Sequence, residues 1–253
     1  MKRFILLLCI FFLTGGGYVA LAQSETLPDS PSENILLENQ WSLGAVLHTN
    51  GWGLTFRKGH NATALRQFMW EVEFSTYKSS KEVRSINPNY SDSRSFFYGK
   101  LNYVWFLRGG IGQQYILNRK PYWGGVQLSW LYYGGLSLVV TKPVFLYIIY
   151  KKDGYPDEFK EEKYNPDRQQ IYDIFGRGSF LSGINQLGFH PGIYCRTGLN
   201  FEYGAKNRLI SSLEIGGVLD YSPLPVAIMA FNPRQSFFLT LYLSIMFGKR
   251  YNK

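Results

Sequence analysis

Nine charged side chains fall on the polar faces of segments that otherwise alternate apolar and polar residues. Successive side chains of a strand point to opposite faces, so Glu71 and Glu73 lie opposite the aromatic residues of segment 68–75. Five of the nine are acidic and four are basic, which allows them to pair with one another. They are Arg57, Glu71, Glu73, Lys100, Arg108, Arg196, Glu202, Glu214 and Asp220.

A set of this composition allows three kinds of site in the interior of the fold. Charges held away from water need partners, so a paired network that fills the interior is the expected arrangement. A polar path for a small solute or a proton uses the same residue types and remains an alternative. A catalytic cluster among these residues is the third alternative.

The three histidines are the side chains best suited to act as a general base. A hydrolase needs a nucleophile activated by a base, usually with an acidic partner. The His-x-Ser spacing is absent, because Asn, Ala and Gly stand two positions beyond His48, His60 and His190. His48 is able to approach Asp220 on another strand. His48 and His190 are therefore the candidate site residues at the end of the fold. We assign no catalytic residue, and a hydrolase of lipid A or surface proteins remains the alternative function.

The N-terminus has the organisation of a secretory signal peptide over residues 1–22. A basic start is followed by an apolar run at 4–13 and by small residues ending at Ala22, after which we expect cleavage. The apolar run is shorter than a membrane-spanning helix requires. Residues 23–39 are mostly polar and include two prolines, which predicts a flexible periplasmic leader.

Removal of the signal peptide leaves Cys195 as the remaining thiol of the chain. A disulfide within the chain is then impossible, and a metal site built on cysteine lacks a second ligand. The segment Gly109-Gly110-Ile111-Gly112 is not a phosphate loop, because no Lys-Ser/Thr follows it. We therefore expect neither a metal nor a cofactor.

Residues 40–253 carry a strand pattern with few interruptions. Thr49-Asn50-Gly51 is a tight-turn signal, and Gly109-Gly110, Gly134-Gly135 and Gly204-Ala205-Lys206-Asn207 are predicted as short connections. Several strands reach the length of about 9–11 residues that suits a tilted membrane-spanning strand. The predicted strands are 40–48, 52–57, 68–75, 100–108, 111–118, 125–133, 136–150, 189–203, 207–220 and 236–248. The pattern predicts an all-β fold, an antiparallel transmembrane β-barrel of about 8–10 strands with long extracellular loops.

The long connections at 77–95, 151–188 and 221–235 all follow odd-numbered strands in this scheme. They are extracellular if the chain starts in the periplasm. The first half of 151–188 is densely charged and predicts a solvated surface, and its apolar second half favours a short amphipathic helix on the mouth of the barrel. The loop at 77–95 is basic and suits contact with anionic lipopolysaccharide through Lys78, Lys81, Arg84 and Arg94.

The last predicted strand presents an apolar stripe that ends at Phe247, similar to the C-terminal strand of bacterial outer-membrane barrels. With the segments TNGWGLTFRKG and FHPGIYCRTGLNFEYG, the mature chain resembles the small outer-membrane β-barrel proteins of Bacteroidota. That group includes accessory barrels of the type IX secretion and gliding machinery. The resemblance implies a fold and a location, not an activity.

The amino-acid composition excludes several classes of protein. The chain is 45% apolar and 17% aromatic, which excludes a disordered protein. Loss of Lys2 and Arg3 with the signal peptide lowers the formal charge from +9 to +7. This remaining charge is explained by contact with outer-membrane lipid and lipopolysaccharide, and no nucleic-acid-binding pattern is present. We expect a non-enzymatic accessory subunit of a larger envelope complex for secretion or assembly, or a narrow pore, in the outer membrane. A soluble β-sandwich or lipocalin-like binder is disfavoured, because the outward apolar stripes would form large exposed patches.

Overall fold

The computed structural model describes residues 38–63, 65–118, 125–150, 158–203 and 208–252. The expected signal peptide at residues 1–22 and its cleavage site lie outside these ranges. Positions 23–37 of the expected leader and the predicted turn at 204–207 also lie outside them.

Strands dominate the part of the chain that the structure describes. Two single-turn 3-10 helices, Ile171–Asp173 and Ile184–Gln186, are its helical segments. The strands are β1 (Asn39–His48), β2 (Gly51–Asn61), β3 (Arg66–Tyr77), β4 (Arg84–Ser85), β5 (Phe96–Phe97), β6 (Asn102–Asn118), β7 (Gln127–Pro143), β8 (Phe145–Tyr150), β9 (Glu158–Lys163), β10 (Ile174–Arg177), β11 (Gly188–Tyr203), β12 (Leu209–Val226) and β13 (Gln235–Tyr251).

Eight of these strands close into an antiparallel barrel in the order β1-β13-β12-β11-β7-β6-β3-β2. The first and last strands close it, pairing from Asn39 opposite Tyr251 to His48 opposite Tyr242. Closure satisfies the backbone of every barrel strand on both sides and leaves no free sheet edge. The prediction of an all-β antiparallel barrel of 8–10 strands is confirmed.

The predicted connections at Gly109-Gly110 and Gly134-Gly135 are wrong. Both pairs lie inside long strands, and Gly110 of β6 faces Gly135 of β7 in the ladder. A Cβ on Gly135 would lie 2.2 Å from the Gly109 carbonyl oxygen and 2.4 Å from the Gly110 Cα. These glycines therefore allow two strands to approach closely and do not reverse the chain. Ten predicted strands become eight in the barrel for this reason.

The crowding around Gly135 leads to a stability prediction with a matched control. Gly135→Ala forces β6 and β7 apart and is expected to lower the free energy of unfolding by about 1–3 kcal/mol. Gly109→Ala meets no atom within 4 Å and is expected to change it by less than about 0.5 kcal/mol. Urea titration of the two refolded variants, followed by tryptophan fluorescence, measures both. Equal effects of the two substitutions would contradict the close approach.

The barrel buries its charged side chains together with two apolar clusters in its interior, and its outside is apolar. Glu71, Glu73, Arg108 and Arg196 point inward, and each is at most 2% exposed. The outward positions of the same strands carry large apolar side chains, many of them more than 40% exposed. On β13 this outward row is Phe237, Leu239, Leu241, Leu243, Ile245 and Phe247. In a water-soluble protein the apolar side chains of a strand face the core and the charged ones face water, whereas here the charged side chains face inward and the large apolar ones face outward.

Three long connections meet at one end of the barrel, and the described residues of 78–101 and 144–187 form a folded cap there. The cap contains a three-stranded sheet in the order β10-β8-β9 and the small β4–β5 ladder. Asn87 ties the two connections together, because its Nδ2 atom donates to the carbonyls of Tyr172 and Ile174 at 2.9 and 2.8 Å. The cap has its own apolar core, formed by Phe96, Val144, Leu146, Ile148, Tyr164 and Ile174.

The cap differs from the sequence prediction for 151–188. Part of the charged first half is the regular strand β9, which pairs with β8. The expected amphipathic helix is wrong, since residues 171–187 hold β10 and two single turns of 3-10 helix. Ile174 is buried in the cap core instead of lying along the face of a helix. The apolar residues of this segment therefore build a small sheet layer.

Candidate functional site

Arg196 on β11 lies at the centre of a buried charge network inside the barrel. Its Nη1 atom donates to Glu71 Oε2 at 3.1 Å and to Glu73 Oε2 at 2.6 Å. Both acids point inward from β3 because they stand two residues apart on one strand. The guanidinium carbon also lies 4.1 Å from the Tyr242 ring centroid, within the range of a cation–π contact.

Arg57 connects this centre to the opposite wall of the barrel. It lies beside Glu71 in the β2–β3 ladder, and its Nε atom donates to Glu71 Oε2 at 3.0 Å. Its terminal nitrogens donate to both oxygens of Glu214 on β12, at 2.5 and 3.0 Å. This forked pairing fixes both side chains and joins strands that are not neighbours in the sheet.

Arg108 on β6 forms a second branch toward the capped end. Its Nε and Nη2 atoms donate to the two oxygens of Asp220 at 2.9 and 2.8 Å. Its Nη1 atom donates to Ser75 Oγ at 2.9 Å and also to Glu73. Glu73 therefore lies between Arg108 and Arg196 and links the two branches.

Three tyrosines that the sequence analysis did not select complete the network. Tyr194 donates to Glu71 at 3.0 Å, Tyr242 donates to Glu214 at 2.5 Å, and the Tyr133 ring covers Arg57 at 4.8 Å. Among the described residues in contact here, three arginines face four carboxylates, so the hydroxyls of Tyr194 and Tyr242 supply donors that the arginines do not. Their inward parity on β7, β11 and β13 was the sequence signal for this role.

Glu202 belongs to a separate pair at the end of the barrel away from the cap. Arg250 donates to both of its oxygens at 2.9 and 2.5 Å, and also to Gln40 at 3.2 Å. The predicted last strand ended at residue 248, whereas β13 extends to Tyr251 and carries Arg250 inward. Continuing the alternation past Phe247 would have identified this arginine.

Lys100 was expected among the interior charges, and the structure places it elsewhere. It lies in the cap, just before β6, where its Nζ atom pairs with Glu82 at 2.8 Å. The predicted strand began two residues too early, because Leu101 and Tyr103 continue the alternation backwards into the connection. Lys100 is thus a cap residue, and the other eight charged candidates point into the barrel.

The two candidate histidines lie at the capped rim. His48 Nε2 is 3.1 Å from Glu73 Oε1, and His48 Nδ1 is 3.4 Å from Thr240 Oγ1, whereas Asp220 is held by Arg108. The three residue types match those of a catalytic triad, but the His48 and Thr240 side chains are 3% exposed or less. This geometry makes His48 a member of the network. His190 contacts Thr141 Oγ1 at 3.4 Å on the neighbouring strand.

The interior side chains at the centre of the barrel are buried, and Arg57, Glu71, Arg196 and Glu214 are each at most 3% exposed. A cavity of about 20 Å³ lies at the end away from the cap, lined by residues that include Gln40, Arg57, Gln114 and Glu202. That volume corresponds to about one water molecule. In the described ranges no cluster of three His, Cys, Asp or Glu side chains is arranged to hold a metal ion. Those ranges also contain no helix long and apolar enough to span a membrane.

Comparison with known proteins adds fold similarities at low identity. The chain matches no family profile, and no curated protein matches it in sequence. Among solved structures it is similar to Ail, the attachment invasion locus protein of Yersinia pestis, with 9% identity, a TM-score of 0.38 and coverage of 85% of this chain and 98% of that one. It is also similar to Neisserial surface protein A, with 12% identity, a TM-score of 0.40 and coverage of 84% of this chain and 96% of that one. A third similar structure is a major outer membrane protein of Thermus thermophilus, with 10% identity, a TM-score of 0.39 and coverage of 82% of this chain and 99% of that one.

Proposed function

We propose that this protein is an outer-membrane β-barrel with a closed lumen that acts through its cap at the cell surface. The observation that carries the proposal is the polarity of the wall, with charged residues buried inside and Trp, Phe and Leu side chains exposed outside. A water-soluble barrel such as a lipocalin needs polar side chains on its outer surface, because that surface faces water. A closed antiparallel barrel leaves no unpaired backbone edge, which is the condition for crossing a bilayer with strands.

The height of the apolar surface supports the same location. Phe237 and Phe247 bound the outward row on β13 and stand ten residues apart. At ~3.4 Å per residue and a strand tilt of ~40°, this row spans ~26 Å along the barrel axis. That height suits the apolar band of an outer-membrane barrel, which is ~25 Å tall.

Aromatic side chains collect at both borders of this surface, with a lysine among them near the uncapped end. Near the uncapped end, Lys58 stands between Trp41 and Trp70 on neighbouring strands, and the rings of Tyr115 and Trp130 stack at 6.3 Å. At the capped border the Tyr221 and Phe237 rings lie 4.7 Å apart on the outer wall. Rings with a polar edge suit the headgroup level of a membrane, so outer-membrane lipid is the first expected partner.

The filled lumen favours an accessory role over a pore. A conducting path needs a continuous column of water. Across the middle of the lumen the side chains of Arg57, Glu71, Arg196 and Glu214 meet, and each of these residues is at most 3% exposed. The cap, in contrast, exposes Ile86, Phe180 and Leu181 to solvent. These apolar side chains support docking to a larger envelope complex, and lipopolysaccharide would surround the cap. The alternative hydrolase has no accessible nucleophile beside His48 among the described residues.

Planar-bilayer recording tests the closed lumen. The wild-type protein is expected to insert without stepwise conductance, because its interior charges are paired and packed. The double variant Arg57→Ser/Glu214→Ser removes two long side chains together and leaves no lone charge between them, so it is expected to give small conductance steps. Retarded gel mobility after heating shows that each protein has folded as a barrel. Steps of equal size from wild-type protein and variant would contradict the closed lumen and favour the pore.

A further inference from the structure

The cap contains two adjacent cavities that the barrel interior does not share. One has a volume of about 400 Å³ and lies between the end of β7, β8 and the segment after β10. The other, of about 380 Å³, lies between β8 and the connection at 78–101. Tyr103 and Arg177 line both, so the two cavities meet at a common wall. Cavities of this size accommodate small ligands.

The cavity walls are strongly basic. The first cavity is lined by three cations and the second by four, with Glu82 as the carboxylate in the combined lining. These cations are Lys78, Arg84, Arg94, Lys100, Lys142 and Arg177. Glu82 is already paired with Lys100 at 2.8 Å, and neither Arg94 nor Arg177 forms an ion pair with another described residue. Like charges around one space repel, so an anion bound there stabilises the cap.

Two of these cations are buried beneath the others. Lys100 and Lys142 are 4% and 2% exposed, and their Nζ atoms lie 4.4 and 5.7 Å from the Tyr103 ring centroid. Burial lowers the pKa of the Lys100 ammonium below its usual value, although the contact with Glu82 acts in the opposite direction. Arg84, Arg94 and Arg177 remain exposed at the openings. Arg84 is held in place by Ser95 Oγ, which accepts from its Nε and Nη2 atoms at 2.9 and 2.7 Å.

We propose that the paired cavities bind one molecule that carries two or more phosphate groups. A guanidinium binds a phosphate through two parallel hydrogen bonds, and a buried ammonium supplies a compact charge below it. Arg177 lies on the wall between the cavities and contacts both groups. A phosphorylated glycolipid headgroup of the same membrane and a free polyphosphorylated molecule share this chemistry. This binding site goes beyond the proposed function. Binding is measured on purified protein in micelles, so the result does not depend on where the protein lies in the cell.

Calorimetry with inositol hexakisphosphate tests the proposal on the full-length protein refolded in micelles free of lipopolysaccharide. The wild-type protein is expected to bind this probe. Arg177→Gln is expected to weaken binding about tenfold or more, because a charge-assisted hydrogen bond is lost at both cavities. Arg168→Gln removes an equal charge from an exposed arginine of the cap that lines neither cavity, and should weaken binding less than about threefold. Heat-dependent gel mobility shows that both variants are folded.

The outcomes separate the site from general attraction and identify its ligand source. Absence of binding to wild-type protein overturns the proposal, as does equal weakening by the two substitutions. The titration is then repeated in nanodiscs with and without lipopolysaccharide. If lipopolysaccharide blocks the probe in wild-type protein, the lipid headgroup is the ligand. If the probe still binds at full affinity there, the ligand is a free phosphorylated molecule.

Discussion

Replacing Arg196 with methionine is expected to lower the free energy of unfolding by about 3–5 kcal/mol, the cost of removing one partner from a buried ion pair. Arg196 contacts Glu71 and Glu73 at 3.1 and 2.6 Å, so its loss weakens the pairing of two carboxylates at once. Arg57 and Arg108 then remain to face four buried acids. Methionine fills much of the same volume, which limits the contribution of a cavity.

Urea titration of refolded protein in vesicles measures this effect. Arg208→Met is the matched control, because it removes the same charge from an exposed position near the uncapped end and is expected to cost less than about 0.5 kcal/mol. Adding Glu71→Gln to Arg196→Met removes one of the two carboxylate charges that lose Arg196 as a partner, and should recover about 1 kcal/mol or more. A loss below about 1 kcal/mol for Arg196→Met would show that water reaches the network. The closed lumen would then be wrong.

Leu241→Arg is expected to destabilise the barrel in a bilayer by about 2–4 kcal/mol, because it places a charge near the middle of the outward apolar surface. Leu241 is 61% exposed and lies between Phe237 and Phe247, which bound that surface on β13. In water the same substitution at an exposed site would cost little. The effect therefore depends on lipid covering the outer wall.

Depth dependence provides the control for this second prediction. Phe247→Arg introduces the same charge at the border of the apolar surface, beside the rim residue Lys249, and should cost about 0–1 kcal/mol. Both variants are titrated with urea in vesicles of one lipid composition. Equal and small effects at the two positions would indicate a barrel that is exposed to water, and would remove the outer-membrane location. A larger effect at Leu241 supports it.

The distribution of side chains between the two faces of the wall could be predicted from local sequence. Alternation along one strand sends Glu71 and Glu73 to one face and Trp70 and Val72 to the other, whatever the strand pairs with. Eight of the nine selected charges accordingly point into the barrel. Lys100 was misplaced because alternation continues beyond the end of the strand, and only the fold shows where the ladder stops.

The number of strands could not be predicted in this way. A Gly-Gly pair serves equally well in a tight turn and in a strand that a neighbour approaches closely, because both need the absence of a side chain. At Gly110 and Gly135 the choice depends on the register between β6 and β7, which is a property of two segments and not of one. The apolar residues of 171–187 were ambiguous for the same reason, since the cap sheet that buries Ile174 includes the distant β8.

The sequence by itself therefore determined that this chain is a β-protein with charged residues on one face and an apolar wall on the other. It could not determine partners. Arg57 meets Glu214 across 157 residues, and Arg177 meets Tyr103 at the wall of the cap cavities, only because closure and strand register bring them together. Alternation is a local consequence of backbone geometry, whereas contacts across a lumen depend on the diameter and stagger of the whole barrel. The tertiary structure thus decided which interior charges pair with one another and that the cap holds the basic cavities.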